Sequence, residues 1–349
     1  MEHDELPIAS IIVVNYNGKH YLEECFNSIY DLDYPRDKLE LILVDNASID
    51  GSCEYVNKTF PNVRILELDN NYGFCKPNNE GVKIARGPYV VLLNNDTVVD
   101  KKWLLELVNG ALNDKDVVSC GSKIFFHERK NFINAAGGKI AINGGGFYNG
   151  YGEEDCEKYN KFEYTGFGCG AGVLVKKDFF EEIGGFDEDY FAACEENDLG
   201  WKSWLFGYKV LYVPTAVMYH RLSGTFGSKS GFQPIKVYLI TRNRLYNIFK
   251  NLEFTNVVKG LLVSIIFDIY RAIRHLLSRN FAATKSVINA YIDFMRNFKK
   301  TIEKRKIIQT NRKRSDKELY ELGVMASLKE CIIEEIRLSG LQNNLFKKD

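Results

Sequence analysis

The chain has 349 residues, 45% of them hydrophobic and 26% charged, with 46 Lys and Arg balanced by 46 Asp and Glu. This composition excludes wholesale disorder, is long enough for one large domain or two ordinary ones, and makes a nucleic-acid partner an unnecessary assumption. The zero balance hides an asymmetry: between Lys250 and Arg314, fifteen Lys/Arg stand against four Asp/Glu, a surplus of +11 that the remainder offsets.

Met1 to Leu6 is polar and acidic, which reads as no signal peptide. Eight cysteines without a C-x-x-C pair read as reduced thiols of a cytoplasmic protein. Ala9 to Val14 is an apolar run ending at the turn cluster Asn15-Tyr16-Asn17-Gly18, and predicts a buried strand. Helical spacing follows in Tyr21, Leu22, Cys25, Phe26 and Ile29. Leu39 to Val44 then predicts a second strand, closing on Asp45 through Ser52. Strand, helix, strand is the grammar of a parallel sheet. Val63 to Leu68 gives a third strand, and Asn78 to Ala85 a helix stopped by Gly87-Pro88.

The strand Tyr89 to Leu93 ends in Asn94-Asn95-Asp96-Thr97. Such residues are also ordinary turn formers, so the tripeptide alone is ambiguous between a polar turn and a site. Four strands ending in polar loops on one sheet edge argue for the site. Asn15, Asp45, Asp50 and Asp96 would converge there on an acidic, amide-rich crevice, and Asp96 offers the hard oxygen ligand that Mg²⁺ or Mn²⁺ prefers.

Trp103 to Leu112 predicts an amphipathic helix and Val117 to Phe126 a strand. Gly137 to Gly152 is rich enough in glycine to predict a mobile loop over the crevice. The small residues Gly168 to Gly172 leave room for another chain or a ligand to approach closely. Glu195-Glu196-Asn197-Asp198, followed by Leu199, Trp201, Trp204 and Leu205, predicts the acidic first turn of a helix. A carboxylate there, raised in proton affinity by like-charged neighbours, suits a general base. Lys209 to Val213 predicts a last strand, and His220 stands beside Arg221 with either a packing or a ligand role.

Taken together, SIIVVNYNG (from Ser10), VDNASIDGS (from Val44), NYGFCKPNNEG (from Asn71), LLNNDT (from Leu92), GGFDE (from Gly184) and EENDL (from Glu195) resemble, in order and spacing, the family-2 inverting glycosyltransferases of GT-A fold, in a rhamnosyltransferase-like branch. The resemblance implies an α/β, Rossmann-like nucleotide-sugar-binding domain with a mainly parallel central sheet over residues 1–248, followed by a basic helical extension over 249–349. It implies that Asn15, Tyr16, Asp45, Ser48, Asp50, Asn79, Asn94, Asn95 and Arg242 line the donor site, with Arg242-Asn243 matching a family pair near the pyrophosphate. It further implies a Mg²⁺ or Mn²⁺ held by Asp96 and His220, Glu196 as base, and Asp198 placing the acceptor. Two positions depart from the pattern: Glu196 stands where Asp is usual, and Lys76-Pro77 where small residues are usual.

These parts predict metal-assisted, single-displacement transfer of a sugar from a nucleoside-diphosphate sugar to a hydroxyl of a glycan or lipid-linked acceptor. Other readings are a sugar-phosphate nucleotidyltransferase, which would want a basic glycine-rich loop after the first strand, and a non-catalytic sugar-binding scaffold. From Val257 to Met295 apolar and basic residues alternate as amphipathic helices, which would lie on the inner face of an anionic membrane or pack against the catalytic domain or a homodimer partner. Gly260 to Phe267, its most apolar run, is too short to span a bilayer. Lys299 to Arg314 reads as solvated and flexible, and Glu318 to Leu338 as a last helix.

Overall fold

A computed structural model describes residues 6–221 and 233–345; the acidic opening, residues 1–5, lies outside the described residues. The first part alternates strand and helix: β1 (Ala9–Asn15), α1 (Lys19–Tyr30), β2 (Leu39–Asp45), α2 (Ser52–Thr59), β3 (Arg64–Glu67), α3 (Cys75–Ile84) and β4 (Tyr89–Asn94). Next come β5 (Thr97–Val99), α4 (Trp103–Asn113), β6 (Val117–Phe126), β7 (Arg129–Ala136), β8 (Gly138–Ala141), β9 (Gly146–Tyr148) and β10 (Glu163–Tyr164). β11 (Gly172–Lys176), α5 (Lys177–Glu182), α6 (Glu195–Leu205) and β12 (Lys209–His220) complete the sheet-forming part.

The main sheet runs β10-β12-β6-β11-β4-β1-β2-β3, with β5 on β12 and β7 on β6. β1 lies parallel to β2 and β4, and β6 parallel to β12, while β11 is antiparallel to both its neighbours. A strand covered on both faces must be apolar throughout, and its alternate residues serve two cores. Ile12, Val90 and Leu92 face one core with Val82 of α3 and Trp201 and Trp204 of α6. Ile11, Val13, Val91 and Leu93 face the other with Phe26 of α1 and Trp103 of α4.

The C-terminal part is helical: α7 (Pro234–Asn251), α8 (Phe254–Leu277), α9 (Phe281–Arg296), α10 (Phe298–Thr310), α11 (Asp316–Glu321) and, after the short β13 (Met325–Ala326), α12 (Leu328–Leu345). Leu245, Ile248, Val257, Phe294, Ile308 and Leu319 join the same core as Trp201 and Trp204, so these helices are continuous with the sheet's packing.

Three expectations need correction. Residues 137–152 are a paired segment: β8 lies antiparallel to β9 and parallel to β13. Its glycines serve close packing; at Gly144, with φ of +81°, a Cβ would land on the Arg244 carbonyl. Lys299 to Arg314 is mostly helix, and several of its charges, those of Lys304, Arg305, Arg312 and Arg314, are used internally. Lys304 pairs with Asp187 and Asp189, and Arg305 donates to the Phe249 and Leu252 carbonyls at 2.6 and 2.7 Å, supplying donors to carbonyls that the end of α7 leaves without helical partners. The predicted last helix is two helices, because Ser315 and Glu318 cap α11 reciprocally and the chain turns at Gly323, φ +72°, into β13. The small residues before β11 do admit a close neighbour, which is the molecule's own sheet: Gly168 lies against Gly121.

Candidate active site

The register places Asn15 opposite Asp45 at the ends of β1 and β2 and Val14 opposite Asn94 of β4. Three carboxyl-terminal strand ends therefore meet, as ligand sites in open α/β sheets require. The Asn15 amide donates to Asp45 Oδ1 and Ser48 Oγ, both at 3.1 Å, and its carbonyl accepts from Asn95 Nδ2 at 2.7 Å. Ser48 N–H donates to Asp45 Oδ2 at 2.8 Å. Gly18 sits under this network: a Cβ there would overlap the Asn95 amide and lie 2.6 Å from Asn15 Oδ1. Asp50 accepts from Lys19 N at 2.9 Å and from Ser52; burial pushes its carboxyl up, but these donors outweigh it and hold the group below the usual range. Tyr16 projects from the same edge, 42% exposed, a free aromatic face beside the network. Asn46, which the sequence did not single out, ties the edge to the next loop through Asn71, Tyr72 and Gly73.

Asp96 is buried, and its Oδ1 lies 3.3 Å from His220 Nε2, whose ring also meets the Asn94 amide at 3.5 Å. His220 belongs to β12, longer than the strand the sequence indicated, and it pairs there with Thr97 of β5. Its Nδ1 lies 3.2 Å from Asn134 Oδ1 of β7. If that nitrogen carries the proton, the Nε2 lone pair faces the Asp96 carboxylate, an arrangement of two electron-rich atoms that a cation satisfies. Among the described residues no group of three His, Cys, Asp or Glu could hold a metal, so two side chains plus a bound phosphate would form the Mg²⁺- or Mn²⁺-type set.

Across the Gly170–Ala171 segment, whose Ala171 carbonyl accepts from Asn94 N at 3.0 Å, lies the start of α6. Gly170 abuts both Glu195 and Glu196. Glu196 accepts a 2.8 Å hydrogen bond from the Tyr148 hydroxyl and lines a cavity of about 320 Å³ together with Asn143, Asn197, Arg244, Phe267 and Arg271. Burial raises the Glu196 carboxyl above its ordinary value, and the Tyr148 donor moderates the rise. Glu195 is raised well above the usual range, by burial first and then by the Glu196 charge; one of its oxygens is buried with no hydrogen-bond partner. The two carboxyls share one buried site and titrate as a pair, with the Tyr148 hydroxyl donating to the Glu196 member.

The approach to α6 is strained, since Phe191, Ala193 and Cys194 have φ of +62°, +73° and +67°. Asn243 holds it, donating to the carbonyls of Tyr190, Ala192 and Ala193 at 2.8–3.0 Å. Arg242 donates to the Asp189 and Tyr190 carbonyls and pairs with Asp293. Arg242 and Asn243 thus brace the turn that leads into α6. Asn79 likewise braces the Gly184-to-Glu188 turn, bonding Phe186 N and O, each at 2.9 Å. Asp198, expected at the acceptor, is 2% exposed and bound to Lys202, Lys250 and Asn251 at 2.7, 3.0 and 2.9 Å. Burial raises its carboxyl, and the two ammonium groups more than reverse this. Its position on α6 faces α7, so it anchors the helix that carries Glu196. Sequence reasoning gave no role to Tyr148, Asn134 or Glu195; an aromatic in a glycine-rich stretch was the one local sign of Tyr148.

The sheet edge of amides and carboxylates, with a buried carboxylate pair at the start of α6, belongs to the class of nucleotide-sugar glycosyltransferases. The chain belongs to glycosyl transferase family 2, whose family model matches residues 10–184. Glycosyltransferase AglE of Haloferax volcanii is 24% identical over 254 residues, covering 70% of this chain and 78% of AglE. The chain spans only 18% and 53% of the length of two other curated relatives. Among solved structures, Staphylococcus aureus TarS in complex with UDP-GlcNAc shares the fold with a TM-score of 0.58 at 19% identity, over 90% of this chain and 92% of that one. The mannosyltransferase PcManGT of Pyrobaculum calidifontis, in complex with GDP-Man and Mn²⁺, does so with a TM-score of 0.53 at 18% identity, over 84% and 88%.

Proposed function

We propose that the chain transfers a glycosyl group from a nucleoside-diphosphate sugar to a hydroxyl of a glycan or lipid-linked acceptor, with inversion, by one displacement. The observation that carries this reading is the pairing of Glu196 with Tyr148 at a cavity, beside the Gly170–Ala171 segment that also accepts from the end of β4. Asn15, Asp45, Ser48 and Asp50, with Tyr16, would hold the nucleotide, and Asn94 and Asn95 would line the sugar side. Glu196 would take the proton of the acceptor hydroxyl as its oxygen attacks the anomeric carbon; the bond to the diphosphate breaks with its electron pair, and the nucleoside diphosphate leaves. Asp96 and His220 would hold a Mg²⁺ or Mn²⁺, which when bound neutralises leaving-group charge. The GDP-Man and Mn²⁺ bound by PcManGT and the UDP-GlcNAc bound by TarS support a nucleotide-sugar donor and a divalent metal for this reading. Residues 1–248 would carry donor and base, and 249–349 would shape the acceptor side, at the cytoplasmic face of a membrane.

The test is nucleoside-diphosphate release from UDP-, dTDP- and GDP-sugars with Mn²⁺, Mg²⁺ or chelator, with and without lipid extract, for wild type and Glu196→Gln. The expected result is metal-dependent release from one donor class, stimulated by extract and reduced about 10²- to 10⁴-fold in the variant. Equal release in both proteins removes Glu196 as base. Absence of donor binding under every condition would favour the scaffold reading.

A further inference from the structure

The inner faces of the C-terminal helices are accounted for by packing, but the outer face of α8 is not. Val258, Leu262, Ile265, Ile269, Ile273 and Leu276 are 38–60% exposed. At ~100° per residue these six fall within an arc of about 80° on one side of the helix. The opposite side carries Ser264, Phe267, Asp268 and Arg271. Ser264 and Asp268 hold Arg244 at 2.7 and 3.1 Å, and Phe267 and Arg271 line the Glu196 cavity. One helix therefore divides the acceptor-side cavity from a bare apolar surface. Exposed apolar residues also stand on the neighbouring α9, at Phe281, Ile288, Ile292 and Met295.

Charge selects the occupant. The exposed positions of α8 and α9 carry no carboxylate: Asp268 is buried and Asp293 is paired with Arg242. The exposed charges on and between these two helices are Lys259, Arg279, Lys285 and Arg296, all positive. A second copy docking face to face would oppose these cations to themselves, whereas anionic headgroups complement them while the apolar residues enter the acyl boundary. No helix among the described residues is long and apolar enough to cross a membrane, so the helix would lie in the interface and not span it.

We propose that the outer face of α8, extended by α9, beds on an anionic lipid bilayer. Where the transferase reading holds, a consequence follows that rests on it: the cavity beside Glu196 faces the membrane across a single helix, so the acceptor is a membrane-borne, lipid-linked hydroxyl. The docking itself does not depend on that reading.

The test is flotation of the full chain with vesicles of phosphatidylcholine alone or with about one third phosphatidylglycerol. The variants are a triple Leu262→Glu, Ile269→Glu, Ile273→Glu and a charge triple Lys259→Glu, Lys285→Glu, Arg296→Glu. All six positions are exposed, so the melting temperatures should match wild type, and solution donor hydrolysis, where present, should be unchanged. The expected result is flotation with the anionic vesicles, weakened by high salt, lost about tenfold or more in the apolar triple and stripped of anionic preference in the charge triple. Three outcomes overturn the proposal: no flotation with either vesicle, an apolar triple that floats like wild type, or a wild-type dimer that the apolar triple dissociates without any vesicle binding, which would give the face to a second copy.

Discussion

Replacing Tyr148 by Phe removes one hydroxyl from the base and little else, because the ring keeps its place 5.6 Å from Phe167. That hydroxyl donates at 2.8 Å to Glu196, and it is the donor that offsets the rise caused by burial. A hydrogen bond to a charged group is worth about 1.5–3 kcal/mol, so losing it should push the Glu196 carboxyl further up. A base must be ionised, so the acid limb of kcat/KM should move to higher pH. kcat/KM should therefore fall most at and below the original midpoint and recover as pH is raised. The sign for stability is the same: a carboxyl raised in the folded state contributes stability at low pH that is lost as pH rises through the folded value. The variant's thermal midpoint should therefore fall relative to wild type on going from mildly acidic to mildly alkaline buffer. The assay is nucleoside-diphosphate release from the accepted donor across pH, beside melting curves at each pH. An acid limb that stays put while the rate drops equally at every pH would refute the assignment and leave Tyr148 as a packing residue.

Two further outcomes are expected. Gly18→Ala forces apart the Asn15–Asn95 amide pair without demanding an unusual backbone angle, so nucleotide affinity by calorimetry should weaken about tenfold, the loss of roughly one good hydrogen bond, while the melting temperature changes little; unchanged affinity would detach this network from the donor. Asp198→Asn removes the counter-charge of the buried Lys202 and leaves Lys250 with Asp187 alone, and should cost about 3 kcal/mol in urea unfolding at neutral pH. Because the Asp198 carboxyl is held below its ordinary value, that contribution is present above the unfolded carboxylate range and lost as pH falls through it, so wild type and variant should converge in acid. A constant gap across that range would contradict the ion-pair account.

The strands were legible in the sequence because a sheet strand buried on both faces must be apolar along its length, and each ended where small polar residues began. Asn15, Asp45 and Asn94 could be placed on one edge from that alone, since parallel pairing brings equivalent strand ends together. The order of the motifs further identified the family. What lay outside its reach was every role set by a partner distant in the chain. Tyr148 comes 48 residues before Glu196, and only the fold of β8 and β9 onto α6 joins them. Asp198 read as a site residue because acidic side chains in a helix's first turn look alike from the sequence; two lysines, one of them 52 residues away, decide that it is an anchor. The basic run 299–314 looked solvated because composition cannot show which carboxylates and helix-end carbonyls await it. Periodicity and local propensity are properties of the chain itself, whereas burial, proton affinity and counter-charge belong to the neighbours that only the tertiary structure supplies.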